Sequence, residues 1–71
     1  MPKGWFIEVV TETVGGAPTV ERFEVAIENR DAAIKAVADW EVRPPGATIR
    51  AKFPLSERQL DGLKRGQIRA L

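Results

Sequence analysis

Seventy-one residues suffice for one small domain, and none of them is Cys, His or Tyr. That excludes a disulfide framework, thiolate or imidazole metal sites, a catalytic Cys and an imidazole general base. With 44% hydrophobic and 30% charged residues, the chain has the make-up of an ordinary globular domain rather than of a low-complexity segment, and nothing in it implies a metal or cofactor.

A chain of this size buries only about 60% of its unfolded surface, and its single core is worth about 3–5 kcal/mol. Self-association is therefore a natural source of extra burial. No apolar run approaches the ~18 residues needed to cross a bilayer. Met1-Pro2-Lys3-Gly4-Trp5 does not open a long apolar core with a small-residue cleavage site behind it. The expectation is a soluble cytoplasmic protein with no membrane partner.

The net charge of +1 hides an uneven layout. Residues 1–41 carry four Lys/Arg against eight Asp/Glu, a balance of −4, and residues 42–71 carry seven against two, a balance of +5.

In chain order, residues 5–13 are β-branched and aromatic, a strand pattern. Val14-Gly15-Gly16-Ala17-Pro18 is a turn. Residues 19–28 alternate, with Phe23, Val25 and Ile27 on one face. The two strands make a hairpin, and pairing Trp5 with Ile27, Ile7 with Val25 and Val9 with Phe23 collects the large apolar side chains on one side. A loop of three or five residues would give that register. It also sets Glu8 against Glu24, a repulsive pair that needs a nearby cation.

Asn29 is suited to cap a helix over residues 32–41, with Asp31 in its first turn and Ala33, Ile34, Val37, Ala38 and Trp40 at helical spacing. Val42-Arg43-Pro44-Pro45-Gly46 ends it in a stiff loop. Residues 47–53 alternate again, with Ala47, Ile49, Ala51 and Phe53 inward, up to Pro54. Ser56-Glu57-Arg58-Gln59 reads as a capping box, with Leu55 and Leu60 at the hydrophobic-staple positions. It predicts a short second helix over residues 57–65, weakened by Gly62 and closed by Gly66. Residues 66–71 form a tail that frays, docks or pairs as a short strand.

The expected fold is thus a single α+β domain over residues 1–71, ordered β-β-α-β-α. A right-handed crossover places the third strand beside the first, giving a three-stranded antiparallel sheet of order 2-1-3 rather than 1-2-3. The first strand is apolar on both faces, and this order brings Arg50 or Lys52 to Glu8. Both helices would pack on the face bearing Trp5, Ile7, Val9, Phe23, Val25, Ile27, Ile49 and Phe53, leaving the other face open.

Little here supports catalysis, and the chain reads as a non-enzyme. Glu8 and Glu12 lie four strand residues apart, about 13 Å, too far for a paired-carboxylate site. Glu8 and Glu24 read as a charge ladder completed by Arg50 or Lys52, and Ser56 as a cap with no base beside it. The glycines match neither phosphate-loop nor dinucleotide spacing. Trp5 and Trp40 fall on apolar stripes and read as core.

Two binding readings remain. The first is protein association through the open sheet face, with a partner or a second copy, carried by Phe6, Val10, Arg22, Arg50 and Lys52. It fails if Ile68 and Leu71 fold over Phe6 and Val10. The second is weak nucleic-acid binding by the basic half, through Arg43, Arg50, Lys52, Lys64, Arg65 and Arg69, with Phe6 as a stacking platform. Glu8, Glu12 and Glu24 on the same face oppose it, as does an isoelectric point near 8.2.

Overall fold

Glycine and proline divide the β-branched runs into strands, and alternation within each strand decides what it buries. The computed structural model describes residues 2–40 and 46–71. Its elements are β1 (Gly4–Thr11), β2 (Thr19–Val25), α1 (Arg30–Trp40), β3 (Ala47–Leu55) and β4 (Ile68–Ala70). The strands form one antiparallel sheet in the order β3-β1-β2-β4. The α+β class and the central place of β1 agree with the sequence reading. Among the described residues, however, four strands and one helix replace the three strands and two helices expected.

The hairpin register differs by two residues. Trp5 faces Val25, Ile7 faces Phe23 and Glu8 faces Arg22. A two-residue slip keeps every side chain on its face, so the apolar side survives unchanged while the cross-strand partners change. The observed register replaces the repulsive Glu8–Glu24 pair with an attractive one. The loop between the strands covers residues 12–18, longer than expected, and turns at Gly15 with φ of 75°.

α1 starts as Asn29 predicts. The Asn29 Oδ1 accepts from the Ala32 N–H at 2.9 Å, satisfying one of the free amides of the first turn. The expected extension to Glu41 and the loop over residues 42–45 lie outside the described residues. Ala33 and Val37 press on Ile7, Val9, Phe23 and Val25 to form the main core, with Trp5, Ile27, Ile34, Ile49 and Ile68 at its margin. Trp5 anchors one end by donating its Nε1–H to the Glu28 carbonyl at 2.8 Å. Trp40 meets Phe23 edge-on at 5.4 Å and keeps 44% of its surface exposed, so it caps the core rather than filling it.

The second helix does not form, although its start signal does. The Ser56 N–H donates to Gln59 Oε1 at 2.9 Å, and the Gln59 N–H returns to Ser56 Oγ at 3.3 Å. The Leu60 N–H reaches the Ser56 carbonyl at 3.2 Å, closing one helical turn. Gly62 then adopts φ of 84°, in the left-handed region. A single turn orders several residues for one bond and needs a second turn to become worthwhile. The segment therefore continues as successive turns.

This segment also lies on the opposite side of the sheet from α1. Leu55 and Leu60 bury themselves with Ala26 in a second, smaller cluster, against which Phe6 and Leu63 pack. Gly4 is required beneath it, because a Cβ there would collide with the Val25 carbonyl oxygen and with Leu60 Cδ1. The expectation that both helical segments share one face is thus corrected.

The tail is an ordered strand. The Ala26 N–H donates to the Gln67 carbonyl at 2.9 Å, and the Gly66 N–H donates to the Ala26 carbonyl at 2.8 Å. The β1–β2 ladder ends at Val25, sooner than expected, and β4 lies on the outer edge of β2, opposite Phe23–Val25. Ile68 packs at the margin of the helix-side core and Leu71 is 66% exposed, so neither covers Phe6 and Val10.

Candidate functional site

The sheet face away from α1 is built from the even-numbered residues of β1 and their cross-strand partners. Phe6, Glu8 and Val10 form its central row, with Glu24, Arg22 and Val20 beside them on β2. On β3 the register changes between Phe6 and Ile7: Ile7 faces Ala51, but Phe6 faces Phe53, so Lys52 is the extra residue of a bulge. The bulge turns Phe53 out of the helix-side core, where alternation had placed it, and onto the second face. There it stacks on Phe6 with ring centroids 4.7 Å apart and planes 9° from parallel. β3 also runs on through Pro54 to Leu55 instead of stopping at it. An edge strand tolerates a proline that a central strand would exclude.

Phe6 is the shared member of two surfaces. One side of it packs against the Ala26–Leu55–Leu60 cluster and the other against Phe53, which is 46% exposed. Farther along the face Val10 pairs with Val20, itself 43% exposed.

The charges of the face are arranged in two groups. Glu8 Oε2 lies 3.8 Å from Arg22 Nε, and its Oε1 lies 3.9 Å from Lys52 Nζ. Arg50 stands opposite Glu8 in the β1–β3 register. The cation that the sequence demanded for Glu8 is therefore supplied from both sides. Glu24 takes a charge-assisted pair of bonds from Arg69, from Nε at 2.8 Å and from Nη2, both to Oε1. The remaining Arg69 Nη1 donates to the Asp61 carbonyl at 2.9 Å. One guanidinium thus ties β4, β2 and the turn segment together.

Phe6, Val10, Arg22, Arg50 and Lys52, the residues selected for an association surface, share this face or its rim. The nucleic-acid candidates are scattered. Arg69 is committed to Glu24 and Lys52 is paired with Glu8. Lys64 and Arg65 immediately precede Gly66, whose N–H bonds the Ala26 carbonyl on the β4 side, while Arg50 is on β3. Three strand spacings, about 14 Å, separate those two edges. Arg43 lies outside the described residues. Sequence reasoning missed Phe53, because a bulge leaves no composition signal. It also missed the structural use of Arg69, whose acceptor is 45 residues away.

Two open depressions flank the sheet. One, of about 250 Å³, has an apolar floor of Ala26, Leu60 and Leu63 and a charged rim of Lys3, Glu28, Glu57 and Arg65. The other, of about 240 Å³, lies between Trp40, Val20 and Leu71. Neither is lined by Glu8 or Glu24. Among the described residues no helix is long and apolar enough to cross a membrane. Compared with known proteins, the chain matches no family model, no curated protein and no solved structure.

Proposed function

We propose that this chain is a non-enzymatic protein-association module, and that it works by stacking the second face of its sheet on that of another copy. The observation carrying the reading is the Phe6–Phe53 stack, half exposed on a sheet surface that carries no helix among the described residues. The neighbouring ions support it. Glu8 already has Arg22 and Lys52, and Glu24 has Arg69. Burying compensated charges costs less than burying isolated ones. The scatter of the basic residues weighs against the nucleic-acid alternative.

Strands about 4.8 Å apart and rising about 3.3 Å per residue give this four-stranded face a footprint of roughly 14 by 26 Å. That is small against the ~800 Å² per partner of a standard stable interface. The dimer is therefore expected to be weak and concentration-dependent.

Light scattering across a concentration series, at low and high salt, tests this. The expected result is a mass that rises with concentration and survives salt, and a monomer at every concentration for Phe53→Asp. Phe53 is a better probe than Phe6, whose loss would also open the cluster beneath it. A monomer throughout for the unaltered chain would rule the homodimer out. Binding to a nucleic acid that weakens steeply with salt would favour the alternative instead.

A further inference from the structure

We infer that the outer edge of β3, over residues 47–51, receives an extended acidic strand from a partner protein, which would become the fifth strand of the sheet. This inference does not rest on face-to-face association, since it concerns the rim of the sheet and its backbone.

β3 is the longest strand of the sheet, nine residues, and it is bonded on one side only, to β1. Among the described residues no backbone bond reaches residues 47–54 from beyond the sheet. An edge of this kind presents alternating free amides and carbonyls and is a template for strand addition. The opposite rim, β4, offers only three residues.

The side chains along the β3 edge define what fits. Ala47, Ile49 and Ala51 point to the α1 side and are partly buried against the main core. Thr48, Arg50 and Lys52 point the other way and are exposed. An added strand would place apolar residues beside the first set and carboxylates beside the second. Arg50 has most to gain. Glu8, its cross-strand neighbour, is taken by Arg22 and Lys52, and Arg50 has no ion pair among the described residues.

The same charges disfavour a second copy at this edge. Pairing β3 antiparallel with itself about residue 50 sets Arg50 on Arg50 and brings the Lys52 side chains toward the same cluster, which is repulsive. The bulge at Lys52 and the missing amide of Pro54 close the usable stretch at its far end. Cations on an edge also serve simply to prevent aggregation, and selective binding of an acidic peptide separates the two roles.

The test uses a short synthetic peptide alternating Glu and Val, titrated into the isotope-labelled full chain and followed by amide shifts and hydrogen exchange. The expected result is that shifts and added protection concentrate on residues 47–51 and vanish when Lys replaces Glu in the peptide. Arg50→Glu should weaken binding about tenfold and allow the Lys–Val peptide to bind. Arg50→Gln serves if the charge reversal disturbs the fold. Absence of shifts, equal shifts with the Lys–Val peptide, or shifts centred on Phe53 and Val10 would each overturn the inference.

Discussion

The two faces of this sheet share the same strands and are stabilised by different means. On the α1 side Ile7, Val9, Val25, Ala33 and Val37 have no exposed surface, and cohesion there is apolar contact. On the other side the turn segment covers only one end, through Leu60 packed on Leu55 of β3, and the middle carries Glu8 with Arg22 and Lys52 and Glu24 with Arg69. The contrast shows how a short chain, with one helix among its described residues, distributes its cohesion. Apolar volume is concentrated where a helix can seal it, and ion pairs serve where water still reaches.

The contrast predicts unequal damage, and the largest should come from the sealed face. Ile7→Ala removes three carbons from a fully buried position. Such truncations cost about 2–5 kcal/mol, comparable to the whole ~3–5 kcal/mol available to a core of this size. Urea unfolding should show the variant largely unfolded in water or with a midpoint near zero denaturant. A loss under about 1 kcal/mol would mean that the second face contributes more than its burial suggests.

Arg69→Ala should come next. It removes two bonds to Glu24 and one to the Asp61 carbonyl, and it leaves Glu24, whose side chain is only 16% exposed, without its cation. Charge-assisted bonds of this kind are worth about 1.5–3 kcal/mol, and partial exposure of Arg69 puts the expectation at the low end. The distinguishing readout is local. Hydrogen exchange should accelerate at Ile68 and Arg69 while the amides of Ile7 and Val9 stay protected. Uniform acceleration would mean that the two faces unfold as one unit.

These cases also show what the sequence made legible. Alternation placed Ile7, Val9, Phe23, Val25 and Ile49 on one face correctly, because parity survives a two-residue register slip. Apolar pairing alone favours a register two residues away, whereas the Glu8–Glu24 clash points to the pairing observed. Phe53 was placed on the wrong face because a single extra residue, Lys52, inverts everything beyond it. The sequence of the tail leaves β4 as one option among three. Its three residues carry little pattern, and its place depends on Ala26 and Arg69 finding partners far along the chain. Of the candidate surface, Phe6 and Val10 were legible from β1 alone, while its aromatic neighbour was not.

The smallest expected effect concerns the capping box, and it sharpens the comparison most finely. Ser56 and Gln59 satisfy each other's backbone amides at the start of the segment that covers the second face. Losing an N-cap hydroxyl in a full helix costs about 0.5–2 kcal/mol. Here only one turn follows before Gly62 reverses the backbone, so Ser56→Ala should cost at the lower end, about 0.5 kcal/mol. If Leu55 and Leu60 hold the segment by burial, thermal unfolding will shift by only a few degrees, and the Phe6 and Leu60 resonances will stay dispersed. If the cap is what fixes the turn, those resonances will broaden together and Phe6 will become accessible, leaving the second face bare from end to end. The first outcome would place the stability of both faces in buried side chains. The second would make the smaller cluster a consequence of local hydrogen bonding, a difference in kind from the face beneath α1.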